Sequence, residues 1–150
     1  TIRSSRRSAA QVKMVDGAAL AVRPNTELRI DNYSFKKKGT EDRSYFSLIK
    51  GTFRSITGLI GRNKRSSYRV KTPTATIGIR GSDAEIGHNG GVSAVHTING
   101  GHSMTAPDAE GKPVTIQTNA GQIAVARTPY VQASILMLSF IAFMACLAAV

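Results

Sequence analysis

The sequence predicts an all-β domain, a solenoid-like or sandwich-like stack of short strands with Gly-rich turns, followed by an apolar C-terminal helix. Three observations carry this. Short apolar–polar alternations end again and again at Gly, Pro or Asn-Gly, the punctuation of reverse turns between strands. Almost no segment before residue 128 shows the 3.6-residue periodicity of an amphipathic helix. A unit of strand, glycine bend and strand recurs in "SLIKGTFRSI", "HTINGGHSMT" and "QTNAGQIAVA", which reads as stacked β rungs or a meander.

Residues 1–11 are polar and Arg-rich and are expected to form a disordered basic segment. Their twin arginine, Arg6-Arg7, is not followed by an uninterrupted apolar run, because Lys13 and Asp16 intervene; a twin-arginine export signal is not expected. The β domain is placed at residues 12–127. Asp16-Gly17 and Pro24-Asn25 are turns, with Ala19, Val22, Leu28 and Ile30 available for a core face. "FKKKGTED" is a charged loop around Gly39, and "SYFSLIKGTFRSITG" is two short β segments around Gly51. "LIGRNKRSSYRV" is a basic connection into a strand at 68–70.

Asn89-Gly90-Gly91 and Asn99-Gly100-Gly101 bracket a run long enough for one strand, since Asn-Gly reaches positive φ at low cost. A further turn lies at 110–113. Residues 131–150 carry no charge; as a helix rising ~1.5 Å per residue they would span about 30 Å, the thickness of a bilayer core. Residues 128–150 are therefore expected to form an apolar helix and a candidate membrane span, with Ala133, Ser139, Ala142 and Ala145 permitting close helix contact.

A chain of 150 residues and 16.0 kDa accommodates one domain with a real core. The net charge of +11 is lopsided: residues 1–80 hold 18 of the 20 Lys and Arg against five acids. Such a basic half suits a solvated surface, or a polyanion such as nucleic acid or an anionic surface. Tyr33, Phe35, Tyr45, Phe46, Phe53 and Tyr68 offer stacking groups there, but their alternation fits core positions equally well, so nucleic acid is disfavoured. The single cysteine, Cys146, excludes an internal disulfide and a Cys-rich metal site.

Enzymatic signatures are missing. His88, His96 and His102 lack ligand spacing, and no nucleophile motif is present. Asp83 and Glu85 would share one face of a strand ~7 Å apart, but without Trp or another aromatic platform they do not read as a glycosidase pair. "GIRG" at 78–81 is not followed by the helix start and GK[ST] of a phosphate loop. No catalytic residue, cofactor, metal or small-molecule substrate is expected.

The stretch "KTPTATIGIRGSD", residues 71–83, resembles the signature of the FecR-domain family, a Thr-Pro-x-Ala-x-Ile-Gly-x-Arg-Gly-Thr-Asp run. "DGAALAVRPNTELRID", "LIKGTFRSITG" and "QTNAGQIAVA" are similar to its flanking units, so the resemblance covers about residues 15–126. It implies an all-β, solenoid-like fold and a bacterial periplasmic or envelope protein. It also implies a protein partner, an envelope protein or a sigma-regulatory component, since the name-giving members relay a signal from an outer-membrane siderophore transporter to an extracytoplasmic-function sigma factor. The motif positions are Thr72, Pro73, Ala75, Ile77, Gly78, Arg80, Gly81, Ser82 and Asp83, with a structural or partner-contacting role. Ser82 replaces the usual Thr, and Ala84 stands where an aromatic is common. A sigma-binding segment before the domain is not expected and the apolar segment follows it, an arrangement that points to an exported sensor or scaffold domain binding a protein or polymer partner, open to β-augmentation at its edges.

By strand alternation Ala75, Ile77 and Ile79 form the core face of the motif, with Thr74, Thr76 and Gly78 opposite. Pro73 suits a first strand position. Arg80 then falls on the Thr face as a corner clamp, its donors taken up by Thr hydroxyls, Asp83 or carbonyls.

Overall fold

In the computed structural model, residues 1–37, 41–79 and 82–127 are described, together with the backbone of 134–136. The strands are β1 (Ile2–Arg3), β2 (Ala10–Lys13), β3 (Ala19–Val22), β4 (Glu27–Ser34), β5 (Arg43–Ile56), β6 (Tyr68–Lys71), β7 (Thr76–Ile79), β8 (Asp83–Asn89), β9 (Val92–Asn99), β10 (Gly101–Pro107), β11 (Pro113–Asn119), β12 (Ile123–Arg127) and β13 (Ser134–Leu136). One short helix, α1 (Leu59–Asn63), and a 3-10 turn at Arg65–Ser67 separate β5 from β6. The all-β expectation holds.

The strands make two layers that share β5. Layer one runs β1-β4-β5-β6-β7-β10-β11, and layer two runs β2-β3-β5-β8-β9-β12-β13. Among the described pairings β5–β6 alone is parallel. Joined through β5, the two layers are parts of one 13-stranded sheet that closes nearly into a barrel, rather than a stack of parallel rungs.

The expected pair of β segments around Gly51 is one 14-residue strand. Its first half pairs with β4 and β6, and its second half with β3 and β8. Gly51, at φ +88°, marks the changeover. A side chain there would be driven into Thr26, whose hydroxyl holds the corner by accepting from Thr52 N–H and donating to Thr52 C=O, each at 3.0 Å. The bend carries the chain between layers without an edge.

Both layers contribute to one core. Leu28, Phe46, Leu48, Val70, Ile77 and Met104 come from layer one; Leu20, Phe53, Ile86, Val95 and Ala124 come from layer two. The Tyr68 ring packs on Phe46 at 5.6 Å between centroids, and its hydroxyl meets Ser55 Oγ of the opposite layer at 2.6 Å. Burial pushes the Tyr68 phenol up, so it remains a neutral hydrogen-bonding group.

Two expectations need correction. Residues 1–11 are not disordered: β1 pairs with β4, β2 begins at residue 10, and Ser4 N–H donates to Thr26 C=O at 2.9 Å. The pairing supplies the backbone partners that a free basic segment would lack. Within the C-terminal stretch expected to be helical, residues 134–136 form β13, antiparallel to β12; the rest of 128–150 lies outside the described residues. No helix among the described residues is long and apolar enough to cross a membrane. The basic connection 59–67 contains α1, with Leu59 N–H bonded to Asp16 C=O and Ile60 buried. The loop residues around Gly39 lie outside the described residues.

Candidate functional site

The motif stretch links the two ends of the β fold. At one end Pro73 sits in a tight turn between β6 and β7 rather than at a strand start: Thr72 N–H donates to Ala75 C=O, and Ala75 N–H donates back to Thr72 Oγ1, both at 2.9 Å. Pro73 presets the turn and has no amide to leave unpaired. Ala75, Ile77 and Ile79 are buried as alternation predicted, while Thr76 and Gly78 lie on the outer face. Thr74 departs from that pattern and turns inward.

The reason is a buried hydroxyl network. Ser93, on β9 of layer two, donates to Thr72 Oγ1 at 2.7 Å. Thr72 in turn donates to Ala75 C=O at 3.0 Å. With its single proton so used, Ser93 Oγ accepts from Thr74 Oγ1 at 2.5 Å and from His88 Nδ1–H at 2.8 Å. His88 and Ser93 face each other across the β8–β9 hairpin. Burial lowers the His88 pKa, with a backbone bond to Val92 acting the other way. The Ser93–His88 contact looks nucleophilic on paper, but Ser93 is fully buried and its proton points to a threonine. Its work is to bolt the β6–β7 hairpin onto the β8–β9 hairpin.

At the other end, three crossings between layers lie side by side: β7 to β8, β9 to β10, and β11 to β12. Ser82 N–H donates to Asn99 C=O at 3.3 Å and its C=O accepts from Thr57 N–H at 2.8 Å. Thr97 Oγ1 meets His102 Nδ1 at 3.1 Å and Thr118 Oγ1 at 2.7 Å, so β9, β10 and β11 share one buried network. Burial pushes the His102 pKa down to about 4, with the Asp83 charge opposing. His102 is therefore a neutral structural group at physiological pH.

Asp83 and Glu85 do share the outer face of layer two, as expected, and both are taken up by arginines. Arg54 of β5 donates to Asp83 through Nε at 2.9 Å and a second nitrogen at 2.6 Å. Arg23 Nε donates to the buried Glu85 at 2.9 Å. Arg80 and Gly81 lie outside the described residues, so the corner clamp is not placed. No group of three potential metal ligands occurs among the described residues.

Sequence reasoning missed the two histidine networks. Their trace was there: His88–Ser93 and Thr97–His102 are each five apart, spanning the two Asn-Gly-Gly turns. The first turn closes the β8–β9 hairpin and the second makes the β9-to-β10 crossing between layers, and each brings its own pair together.

The FecR protein family model matches residues 1–101. The chain belongs to the FecR family. No curated protein matches. Two crystal structures, at 2.50 and 1.65 Å resolution, of a candidate anti-sigma factor from Parabacteroides distasonis share the fold. Each has a TM-score of 0.68, 14% sequence identity, and 90% of this chain covered. The chain spans 58% of the length of these neighbours. The family match runs over β1 to β9 and includes the whole signature, while the closing unit "QTNAGQIAVA" at 117–126 lies beyond it.

Proposed function

We propose that this FecR-family chain is a non-enzymatic sensor or scaffold module of the bacterial cell envelope, binding a protein partner in a relay to an extracytoplasmic-function sigma factor. The observation that carries the reading is the family match over residues 1–101, reinforced by a fold like that of a candidate anti-sigma factor. The polar chemistry agrees with it. The hydroxyls, imidazoles and carboxylates of the motif region are spent on joining strands, which leaves recognition to edges and faces. Thr72, Pro73, Ala75, Ile77, Gly78, Ser82 and Asp83 hold the frame on which a partner docks; Arg80 and Gly81 belong to the same proposed frame.

The test is photo-crosslinking of the chain in living cells, followed by titration of the captured partner against purified chain. Saturable binding to one envelope protein, little changed by salt, supports the reading. Recovery of no discrete partner contradicts it.

A second reading has its own observation. Arg65 and Arg69 line an open groove of about 480 Å³ with Ser66, Thr76, Ser103 and Thr105, and no carboxylate among the described residues lines it. Arg69 lies 5.6 Å from the Tyr45 ring centroid. Such a surface suits a polyanion, and heparin or duplex DNA binding that falls steeply between about 50 and 200 mM salt is its signature.

A further inference from the structure

We propose that the chain self-associates through β11, two copies pairing antiparallel about Ile116 so that their first layers join edge to edge. An open sheet edge is a template for another strand, and proteins blunt it with charge, proline, brevity, bulges or cover. Three of the four edges among the described residues are blunted. β4 is covered over Glu27 and Leu28 by β1, has two register shifts and carries Arg29 and Asp31. β2 has four residues and ends on Lys13, and β13 has three residues. β11 is different: only its first residue, Pro113, is a blunting one, and the six that follow, "VTIQTN", are uncharged and in unbroken register with β10.

The turn fixes which backbone groups face outward. Asp108 N–H donates to Lys112 C=O at 2.8 Å and Gly111 N–H to Asp108 C=O at 3.0 Å. Bonded and non-bonded pairs alternate along an antiparallel ladder. Ala106–Val114, Met104–Ile116 and His102–Thr118 are therefore the bonded pairs with β10. Thr115, Gln117 and Asn119 point their N–H and C=O groups away from it. Asn119 bears this out, since its N–H donates to Gln122 Oε1 at 2.8 Å and its C=O accepts from Gln122 N–H at 3.0 Å. Pro113, also outward, has no N–H to offer.

A second copy satisfies what remains. With Ile116 on the two-fold axis, Thr115 of each copy pairs with Gln117 of the other, forming four N–H···O=C bonds. Ile116 meets Ile116, and Val114, now 40% exposed, comes against Thr118. The same two-fold brings the turn of one copy, in which Asp108 and Glu110 outnumber Lys112, toward the end of the other strand. Arg65 lines a groove there with Gln117 and Asn119. The charges are complementary, and reciprocally so.

The experiment is sedimentation equilibrium of the 150-residue chain over a wide concentration range. The wild type is expected to shift from monomer to dimer. Thr115→Pro and Gln117→Pro remove only outward amides and leave the β10 ladder intact, so both should stay monomeric at the concentration where the wild type is half dimeric. The paired charge variant T115K/Q117K, which changes no backbone group, should do the same if a proline variant loses its fold. In a Cys146→Ser background, Ile116→Cys should form a disulfide dimer under mild oxidant far faster than the exposed Val15→Cys. A wild type monomeric at every soluble concentration overturns the proposal. So does association unchanged in the Lys variant, or cross-linking no faster at 116 than at 15.

Discussion

His102 makes the stability of the chain depend on pH in a calculable way. Its imidazole is 1% exposed, and burial holds its pKa at about 4 against 6.5 for the free side chain. The native state therefore binds fewer protons than the unfolded chain across that interval. A depressed histidine pKa gives stability that is complete above about pH 6.5 and is lost as pH falls toward 4. Between pH 7 and pH 5, protonation of the unfolded histidine alone removes about 2 kcal/mol, from the two pKa values and ~1.36 kcal/mol per unit. The assay is urea denaturation of the wild type and of His102→Gln at both pH values. The variant starts lower, because Thr97 loses its imidazole partner, but the gap between the two proteins should shrink by about 2 kcal/mol at pH 5. A gap that stays constant, or a His102 ring proton titrating near 6.5 by NMR, would refute the burial argument.

Other consequences are simpler. Ser93→Ala leaves Thr72, Thr74 and His88 each short of a partner and should cost about 1–3 kcal/mol in urea denaturation. Phe53→Ala opens a cavity at a fully buried position between layers, with an expected loss of about 3–5 kcal/mol by the same assay. Gly51→Ala meets both the positive φ and Thr26, so a loss of at least about 1 kcal/mol is expected, whereas Gly111→Ala, with open space around it, should lose only the φ component. Equal melting temperatures for these two glycine variants would contradict the account of the β5 corner.

Much of the fold was legible because the punctuation is local. Asp16-Gly17, Asn89-Gly90-Gly91, Asn99-Gly100-Gly101 and residues 110–113 announce their turns, and Ala75, Ile77 and Ile79 announce a core face by alternation. What was hidden depends on distant partners. Gly51 looks like a turn in the sequence, but Thr26 makes it a bend within one strand. Residues 1–11 look like a free basic segment, and only β4 and β3 give them somewhere to pair. The inward turn of Thr74 follows from Ser93, which is 19 residues away on the other layer. The motif was found as a motif, but its role depends on what surrounds it. Nothing local to Asp83 points to its partner Arg54, 29 residues earlier, and its expected contact with Arg80 lies outside the described residues.

The claim that matters most is that this FecR-family chain works by recognising a protein. The direct measurement is the dissociation constant between the chain and its cross-linked envelope partner, determined by calorimetry at about 50 and 200 mM salt. The account predicts one saturable site whose affinity changes only a few-fold across that range and which heparin does not compete for. An affinity that drops by orders of magnitude with salt, and that heparin reproduces, would contradict it and leave the basic groove as the working surface.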